Sequence, residues 1–507
     1  MSQSQIGVIG LAVMGANLAR NLASKGVQTS VYNRTYERTL ELMVTWGKDV
    51  ETKKYSAENM VSFENLNEFV KSLERPRKII LLVKSGNPVD EFIEKLYPLL
   101  EDGDIIIDTG NSNWGDTVRR MDTLENGKIY TLEQIQKLGG IDKKIIHFVG
   151  CGVSGGEEGA LHGPSLMPGG RKIAVDLVLP ILEKIAAKDF TGKPCVTNVG
   201  HSGAGHLVKM THNGIEYAIM QGISEIYDIL RSQNKPNEEI YSIFKELNNG
   251  YLKSFLLDIT VDIFKSKDNL GEGYLVDKIQ DIAESKGTGG WTVETGLQVG
   301  SAVPSIADSV FARSLSSRKW NFEITRAGSQ EIKTHSQQLP SNPLDMGINP
   351  NKSENGEMLE NLKNALFLVY VSAYLQGLDL IHKANKEFNW GIDLMAVMRI
   401  WQGGCIIRSK MLEMLPNFFN FPVESTKADY QSFQEILPSQ VEVLTQTIAN
   451  LKVPTPVLDS TKNFFLTILN KKLPTNLIQA QRDLFGAHTY LRNDREGVFS
   501  GGWNILD

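Results

Sequence analysis

The chain opens on IGVIGLAVMGANLARNLASKG, and no other stretch narrows its possible folds as far. Ile6 to Ile9 form a short apolar run of strand character, a glycine turn follows, and a helical pattern begins at once. Gly10, Ala12 and Gly15 occupy the three small-residue positions of a dinucleotide fingerprint. Gly10 permits the tight turn, Ala12 is small enough for the backbone to approach a pyrophosphate, and Gly15 allows close helix–strand packing. The free amides at the start of the helix then face the phosphates. An ordinary strand–helix turn could carry one such match by chance. The motif's place between a strand and a helix favours the coenzyme reading.

The next strand, Val27 to Tyr32, tests which dinucleotide binds. NAD-binding versions end it with a carboxylate that accepts the ribose hydroxyl. Here Asn33, Arg34 and Thr35 follow. Arg34 can form charge-assisted bonds to a 2′-phosphate and stack on adenine, and no acid stands there to repel the phosphate. The expected coenzyme is NADP.

Bulk properties agree with a soluble enzyme. The 507 residues are enough for two or three domains. A net charge of −6 and a pI near 5.9 argue against nucleic-acid binding. Cys151, Cys195 and Cys405 are odd in number and widely spaced. That suggests reduced thiols in a cytoplasmic setting, with no disulfide framework and no metal site. The chain opens directly on a strand, so no signal peptide is expected. The longest apolar run, Ala365 to Val371, is too short to span a bilayer.

Residues 1–203 alternate strands and helices, with core strands at Ile79, Ile105 and His147. From 204 to 470 helical patterns dominate, including Ile223–Ser232, Asn361–Glu387 and Gly391–Arg408. Residues 320–357 read as a long polar loop. Residues 471–507 form a tail too poor in apolar residues to build its own core, so it must dock on something. The expected architecture is an α/β Rossmann-type N-terminal domain, a large all-α domain and a short C-terminal tail.

Within the helical region lies GHLVKMTHNGIEYAIMQ. Lys209, His212, Asn213, Glu216 and Tyr217 recur at spacings of 3, 1, 3 and 1. On a helix of about 3.6 residues per turn they share an arc of roughly 140°. That spacing normally marks an apolar core stripe. Five different hydrogen-bonding groups stand there instead, while Thr211, Gly214, Ile215, Ala218 and Ile219 on the other side can pack. Such a helix lines a polar pocket. The competing reading, a solvated face, would be rich in Lys–Glu pairs.

Further blocks extend the pattern: YNRT, LLVK, IIDTGNS, GVSGGEEGALHGPSLMPGG, KGTGGWT, FARSLSS, WQGGCIIRS and AQRDLFGAHTY. With the two motifs above they resemble the 6-phosphogluconate dehydrogenase family over nearly the whole chain. The resemblance implies oxidative decarboxylation of 6-phosphogluconate to ribulose 5-phosphate with reduction of NADP⁺, a reaction of the pentose phosphate pathway. It also implies a homodimer whose C-terminal tails cross to the partner subunit.

The resemblance also assigns roles. NADP is held by the turn Gly10, Leu11, Ala12, Val13, Met14 and Gly15, by Asn33, Arg34 and Thr35, and by Val83, Lys84 and Ser85. Asn111 lies where coenzyme and sugar meet. Ser154, Gly155 and Gly156 match a substrate loop. Lys209 matches the general base and Glu216 the general acid, with His212 and Asn213 on the reacting hydroxyl and carboxylate end. Tyr217, Lys286, Thr288 and Arg313 match the phosphate set, and Arg482 and His488 match tail residues supplied by the other subunit. The chemistry suits these types. A neutral Lys209 can take a hydroxyl proton and return it to the carbonyl oxygen as CO₂ leaves, so no metal is needed.

Thr109, Leu247 and Ser85 depart from the family pattern, and the segments Asn126–Lys143 and 320–357 are longer than usual. The Thr109 hydroxyl would stand close enough to the coenzyme to shift its pose. Two other readings stay open at this level: a related dehydrogenase of small branched 3-hydroxy acids, which would not need the phosphate-binding cations, and a non-catalytic NADP-binding protein.

The coenzyme reading yields a first prediction. Arg34→Ala raises the KM for NADP⁺ roughly ten- to a hundred-fold, the scale of a lost charge-assisted bond of about 1.5–3 kcal/mol, with little change for NAD⁺. Steady-state kinetics with both coenzymes check it, and equal losses contradict it.

Overall fold

The computed structural model describes residues 3–126, 144–317, 354–421, 424–449, 451 and 453–503. The Asn126–Lys143 insertion beyond its first residue, and residues 320–353 of the second polar segment, fall outside that set. The N-terminal part alternates β1 (Ile6–Ile9), α1 (Val13–Ser24), β2 (Thr29–Tyr32), α2 (Tyr36–Lys53), β3 (Met60–Phe63), α3 (Leu66–Lys71), β4 (Lys78–Leu81), α4 (Asn87–Leu96), β5 (Ile105–Asp108), α5 (Trp114–Asn126), β6 (His147–Ser154), α6 (Gly156–His162), β7 (Ser165–Gly169) and α7 (Lys172–Ile185). One seven-stranded sheet has the order β3-β2-β1-β4-β5-β6-β7. It is parallel from β3 to β6, and β7 returns antiparallel on β6. β1, β4 and β5 are buried along their whole length, as continuous apolar runs dictate in a sheet covered on both faces. One apolar layer gathers Val8, Leu18, Leu22, Trp46 and Val178, and the other gathers Ile9, Phe69, Phe92, Leu96 and Phe148.

The sequence places the strands well but not their ends. β2 begins at Thr29 rather than Val27, and β6 runs eight residues, well past HFVG. Its extra length is Gly- and Ser-rich and is held by pairing with β7, which short-range pattern cannot report.

The helical part contains α8 (Ala204–Ser232), α9 (Asn237–Leu247), α10 (Phe255–Lys265), α11 (Thr288–Val299), α12 (Pro304–Ser316), α13 (Glu354–Phe388), α14 (Leu394–Ile400), α15 (Lys427–Ala449) and α16 (Pro456–Leu469). α8 and α13 lie along each other, and Gly377 admits Ile215 where a side chain would collide. The face of Thr211, Ile215, Ala218 and Ile219 is fully buried, as its residue types require. Leu247 is buried in the same core. By length and composition α13 could cross a membrane, but 78% of its apolar window is buried inside the protein, against α8 and its neighbours.

Two expectations need correction. The helix read at Gly391–Arg408 exists only as α14; from Trp401 the chain turns irregularly, because Gly403 and Gly404 press against the Lys188 and Gly163 carbonyls where no helix fits. The polar loop ends before 357, since α13 begins at Glu354.

The tail carries α17 (Thr475–Gly486) and a two-stranded hairpin, β8 (Tyr490–Leu491) with β9 (Val498–Phe499). Local order there exceeds what its composition suggests. Its large apolar side chains remain exposed nonetheless: Phe485, Leu491 and Val498 are 75%, 78% and 69% accessible.

Candidate active site

The predicted coenzyme residues converge at the carboxyl ends of β1, β2, β4 and β5. At Gly10 (φ +96°) and Gly15 the turn and α1 approach so closely that a Cβ on Gly15 would overlap the Gly10 carbonyl oxygen, and one on Gly10 would overlap Leu82 O. This is the backbone cradle a pyrophosphate requires. Ala12 and Val13 are exposed, Met14 is half-buried and Leu11 is buried. The Asn33 side chain does not reach outward. It accepts the Leu11 N–H at 3.0 Å and donates to Thr35 O at 2.9 Å, which ties the glycine turn to the end of β2. Arg34 is exposed, with only a loose 3.9 Å ion pair to Glu91. Thr35 and Lys84 are exposed, and Ser85 is half-buried.

Val83 lies between the two turns: its Cγ1 would meet a Cβ on Gly10 at 2.9 Å, and its carbonyl oxygen one on Gly110 at 3.1 Å. Asn111 is exposed on the turn after β5. That turn is shaped by the buried Asp108 carboxylate, which accepts Gly110 N–H at 3.0 Å and the Ser112 hydroxyl at 2.7 Å. The Thr109 hydroxyl donates to Leu81 O at 2.9 Å. It is therefore engaged by the neighbouring strand rather than turned toward the coenzyme cradle.

The polar stripe of α8 sits where that helix meets the β6–β7 hairpin. A Cβ on Gly205 would overlap the Gly150 carbonyl oxygen, and one on Gly152 would overlap Lys209 Cβ. Backbone-to-backbone contact thus fixes the start of the helix on the sheet. Lys209, His212, Asn213 and Tyr217 are all at least nine-tenths buried. Lys209 Nζ donates to Asn213 Oδ1 at 2.6 Å. The same oxygen lies 3.1 Å from His212 Nδ1, and Asn213 Nδ2 donates to Thr288 Oγ1 at 3.1 Å. His212 Nε2 lies 3.0 Å from Ser154 Oγ, which accepts the Ile406 N–H at 3.3 Å. One proton assignment satisfies all of these: His212 carries its proton on Nδ1, gives it to the Asn213 oxygen, and accepts from Ser154.

Burial sets the charge states. It lowers the Lys209 amine below the usual lysine range, against the pull of the Glu216 carboxylate and the Cys405 thiol. Cys405 is itself buried and its pKa is pushed up to about 12, so it stays neutral. Burial, aided by the Lys209 charge, puts His212 well below the ordinary imidazole value, so the ring is neutral. Burial raises Glu216, opposed by Lys209, Arg313 and Lys286, and its Oε2 lies 3.8 Å from His212 Nδ1. An amine biased toward its neutral form and a carboxyl biased toward its acid form, on one helix face, are the pair that acid–base chemistry uses.

The outer part of the stripe meets the expected cations. Arg313 lies 3.3 Å over the Tyr217 ring and donates to Glu284 O at 3.2 Å. Tyr217 Oη is 3.4 Å from Ser285 Oγ, next to the exposed Lys286. Thr288 opens α11, so its hydroxyl serves Asn213 while the positive end of that helix stands beside it. Gly155 (φ +130°) and Gly156 (φ +63°) lead from Ser154 into α6. Arg482 and His488 instead meet residues of the tail itself: Arg482 bonds Gln479, and His488 lies edge-on to Phe485.

Sequence reasoning missed Gly152, Trp401 and the Ile406 amide. Trp401 packs edge-on to His212 at 6.0 Å. The blocks GVSGG and WQGGCIIRS contain all three, but only tertiary contact reveals what they touch. Among the described residues no three His, Cys, Asp or Glu side chains gather as a metal group.

Fold and site together define a dinucleotide-dependent dehydrogenase with a buried lysine in its polar pocket. Residues 5–200 match the NAD binding domain of 6-phosphogluconate dehydrogenase, and residues 205–503 match the C-terminal domain of 6-phosphogluconate dehydrogenase. The chain is 43% identical over 509 residues to the NADP(+)-dependent, decarboxylating 6-phosphogluconate dehydrogenase of Bacillus subtilis, covering 99% of this chain and 100% of that protein. It is 41% identical over 513 residues to the decarboxylating enzyme of Lactococcus lactis, with both chains fully covered. The solved 6-phosphogluconate dehydrogenase of Plasmodium falciparum, a structure determined apo and with NADP⁺ or 6-phosphogluconate, superposes with a TM-score of 0.82 at 37% identity, covering 98% of this chain and 100% of that one. The chain belongs to the 6-phosphogluconate dehydrogenase family.

The contact at Gly152 generates a prediction. Gly152→Ala displaces Lys209, and a shift of about 1 Å at a reacting group costs on the order of a hundredfold in kcat. The KM for NADP⁺ stays near wild type, because the coenzyme turns are untouched. Steady-state kinetics measure both, and an unchanged kcat contradicts the placement.

Proposed function

We propose that this chain converts 6-phospho-D-gluconate and NADP⁺ to D-ribulose 5-phosphate, CO₂ and NADPH, with Lys209 as base and Glu216 as acid. The observation that carries this reading is the buried Lys209 amine, hydrogen-bonded to a neutral amide rather than neutralised by a carboxylate. The glycine turn, Arg34, the Val83–Ser85 loop and Asn111 hold NADP, and the cradle at Gly10 and Gly15 fits its pyrophosphate. When bound, NADP⁺ supplies the hydride acceptor.

Neutral Lys209 removes the proton from the carbon-3 hydroxyl as the hydride leaves carbon 3. Asn213 and His212 orient that hydroxyl and the carboxylate end, with Ser154, Gly155 and Gly156 beneath. The resulting 3-keto acid breaks its carbon-1 to carbon-2 bond, and the electron pair moves toward the carbonyl oxygen. Protonated Lys209 returns its proton to that oxygen as CO₂ departs. Glu216, in its acid form, then protonates carbon 2 of the enediol, which becomes carbon 1 of the product. Tyr217, Lys286, Thr288 and Arg313 hold the phosphate.

The protein acts as a cytoplasmic homodimer that uses neither nucleic acid nor membrane. Residues 1–203 bind coenzyme, residues 204–470 supply the substrate helix and the dimer contact, and the 471–507 tail reaches across, so that Arg482 of the partner subunit meets the phosphate and His488 of the partner subunit a hydroxyl or the phosphate. The exposed apolar side chains of the tail support docking on another surface.

Lys209→Met lowers kcat roughly a hundred- to ten-thousand-fold, the range of a lost acid–base group. Glu216→Gln slows turnover with substrate affinity largely kept, because its step follows decarboxylation. Coenzyme reduction at 340 nm and CO₂ release report both, and near-normal turnover of Lys209→Met sinks the base assignment. Mixing Lys209→Met with Arg482→Ala chains and exchanging subunits restores activity if the tail acts in trans, since one heterodimer site is then intact. No recovery means a tail working on its own subunit.

A further inference from the structure

Among the described residues of the tail, Asp483 is the one charged side chain that is buried, at 4% accessible, between Arg482 and Leu484, which are exposed. All four acceptor positions of its carboxylate are used. Oδ1 accepts the Thr489 N–H and the Ser500 hydroxyl, each at 2.9 Å. Oδ2 accepts the Gly501 N–H at 2.8 Å and the Trp503 indole N–H at 2.9 Å. The carboxylate therefore gathers both ends of the β8–β9 hairpin, and the strand that leaves it, onto the last turn of α17. These bonds, led by the Gly501 amide, hold the Asp483 carboxyl below its usual range, so it is charged at neutral pH.

Arg482 precedes this residue and His488 follows it by five. On either side of His488 the chain reverses through Ala487 (φ +50°) and Thr489 (φ +61°), both in the left-handed region. Leu484 and Phe485 stay exposed there, and the Phe485 ring meets only the edge of His488 among the described residues. What holds it is Asp483: its backbone carbonyl accepts the Ala487 N–H at 2.8 Å, and its side chain accepts the Thr489 N–H. Gln479 completes the frame by donating to Thr489 O and accepting from Arg482 Nη1. The relative direction of Arg482 and His488 thus depends on one carboxylate.

We propose that Asp483 is a positioning residue that folds the tail into its binding shape before it meets a second subunit, so that Arg482 and His488 arrive already aimed at the substrate phosphate. The inference rests on the trans reading of the tail given above. Pre-ordering removes the entropic cost of fixing those two side chains at the moment of association. It also lets a segment with almost no core of its own present a defined surface.

The test is Asp483→Asn in the full-length protein. The amide keeps the size but turns one acceptor pair into a donor facing two donors. The KM for 6-phosphogluconate rises at least roughly tenfold, the scale of one lost charge-assisted bond. The KM for NADP⁺ and the melting temperature stay near wild type. Exchange of subunits with Lys209→Met chains restores sites of wild-type KM, as it does for Arg482→Ala. A wild-type KM for 6-phosphogluconate in Asp483→Asn, with recovery in the Arg482→Ala mixture, overturns the role of Asp483 and leaves the shared site standing. Equal losses for both substrates with a lowered melting temperature also overturn it, because they mark a general structural defect. No recovery in the Arg482→Ala mixture overturns the shared site and this inference with it.

Discussion

An amine buried in a helix face, hydrogen-bonded to a neutral amide and without an ion-paired carboxylate among the described residues, is a costly thing to fold, and the architecture around Lys209 is organised to hold it. Burial lowers the pKa of an ammonium in such a place and biases it toward the neutral amine. The nearest hydrogen-bonding groups fix where that amine points. Asn213 offers an oxygen to Lys209 and His212 together, Thr288 fixes which way that amide faces, and Ser154 fixes the histidine tautomer. In the proposed mechanism the lone pair on Lys209 serves a substrate hydroxyl. Glu216, raised by the same burial, stands two helical turns further on, where the proposal makes it the complementary acid.

The glycines of the β6–β7 hairpin make this geometry possible. Gly169 and Gly205 let α8 touch the hairpin backbone to backbone, and Gly152 leaves room for the Lys209 side chain, so the polar stripe is seated directly on the sheet that carries the coenzyme turns. Asn33 ties the glycine turn to the end of β2, Val83 stands between that turn and the one after β5, and Asp108 shapes the latter from within. Hydride transfer requires donor and acceptor carbons held at near-contact distance. A helix glued to the edge of the sheet supplies that constraint without a hinge between them.

Much of this was legible in the sequence wherever residue type contradicted position. Five polar groups at core spacing announced the site helix, and a glycine turn between strand and helix announced the coenzyme fold. What stayed hidden depends on contacts distant in sequence. Gly152 reads as one glycine among many until Lys209, 57 positions later, is placed against it. The helix expected at Gly391–Arg408 fails at Gly403, whose backbone meets Lys188 across the fold. The tail looked unable to order itself because its organiser is a single carboxylate whose partners lie up to 20 residues away. Arg482 and His488 illustrate another limit: in the proposed shared site their place depends on a surface that one chain does not contain.

The central claim is that Lys209 is a neutral base because burial, not a neighbouring cation, depresses its pKa. Titration of the lysine side chains by NMR, in protein carrying isotope-labelled lysine and with the Lys209 signal assigned from Lys209→Met, tests it directly. The account predicts that the Lys209 resonance titrates below the ordinary lysine value of about 10.4 while exposed lysines titrate near it. A Lys209 resonance titrating at or above that value would contradict the account, because the amine would then be a protonated ion-pair partner and not a base.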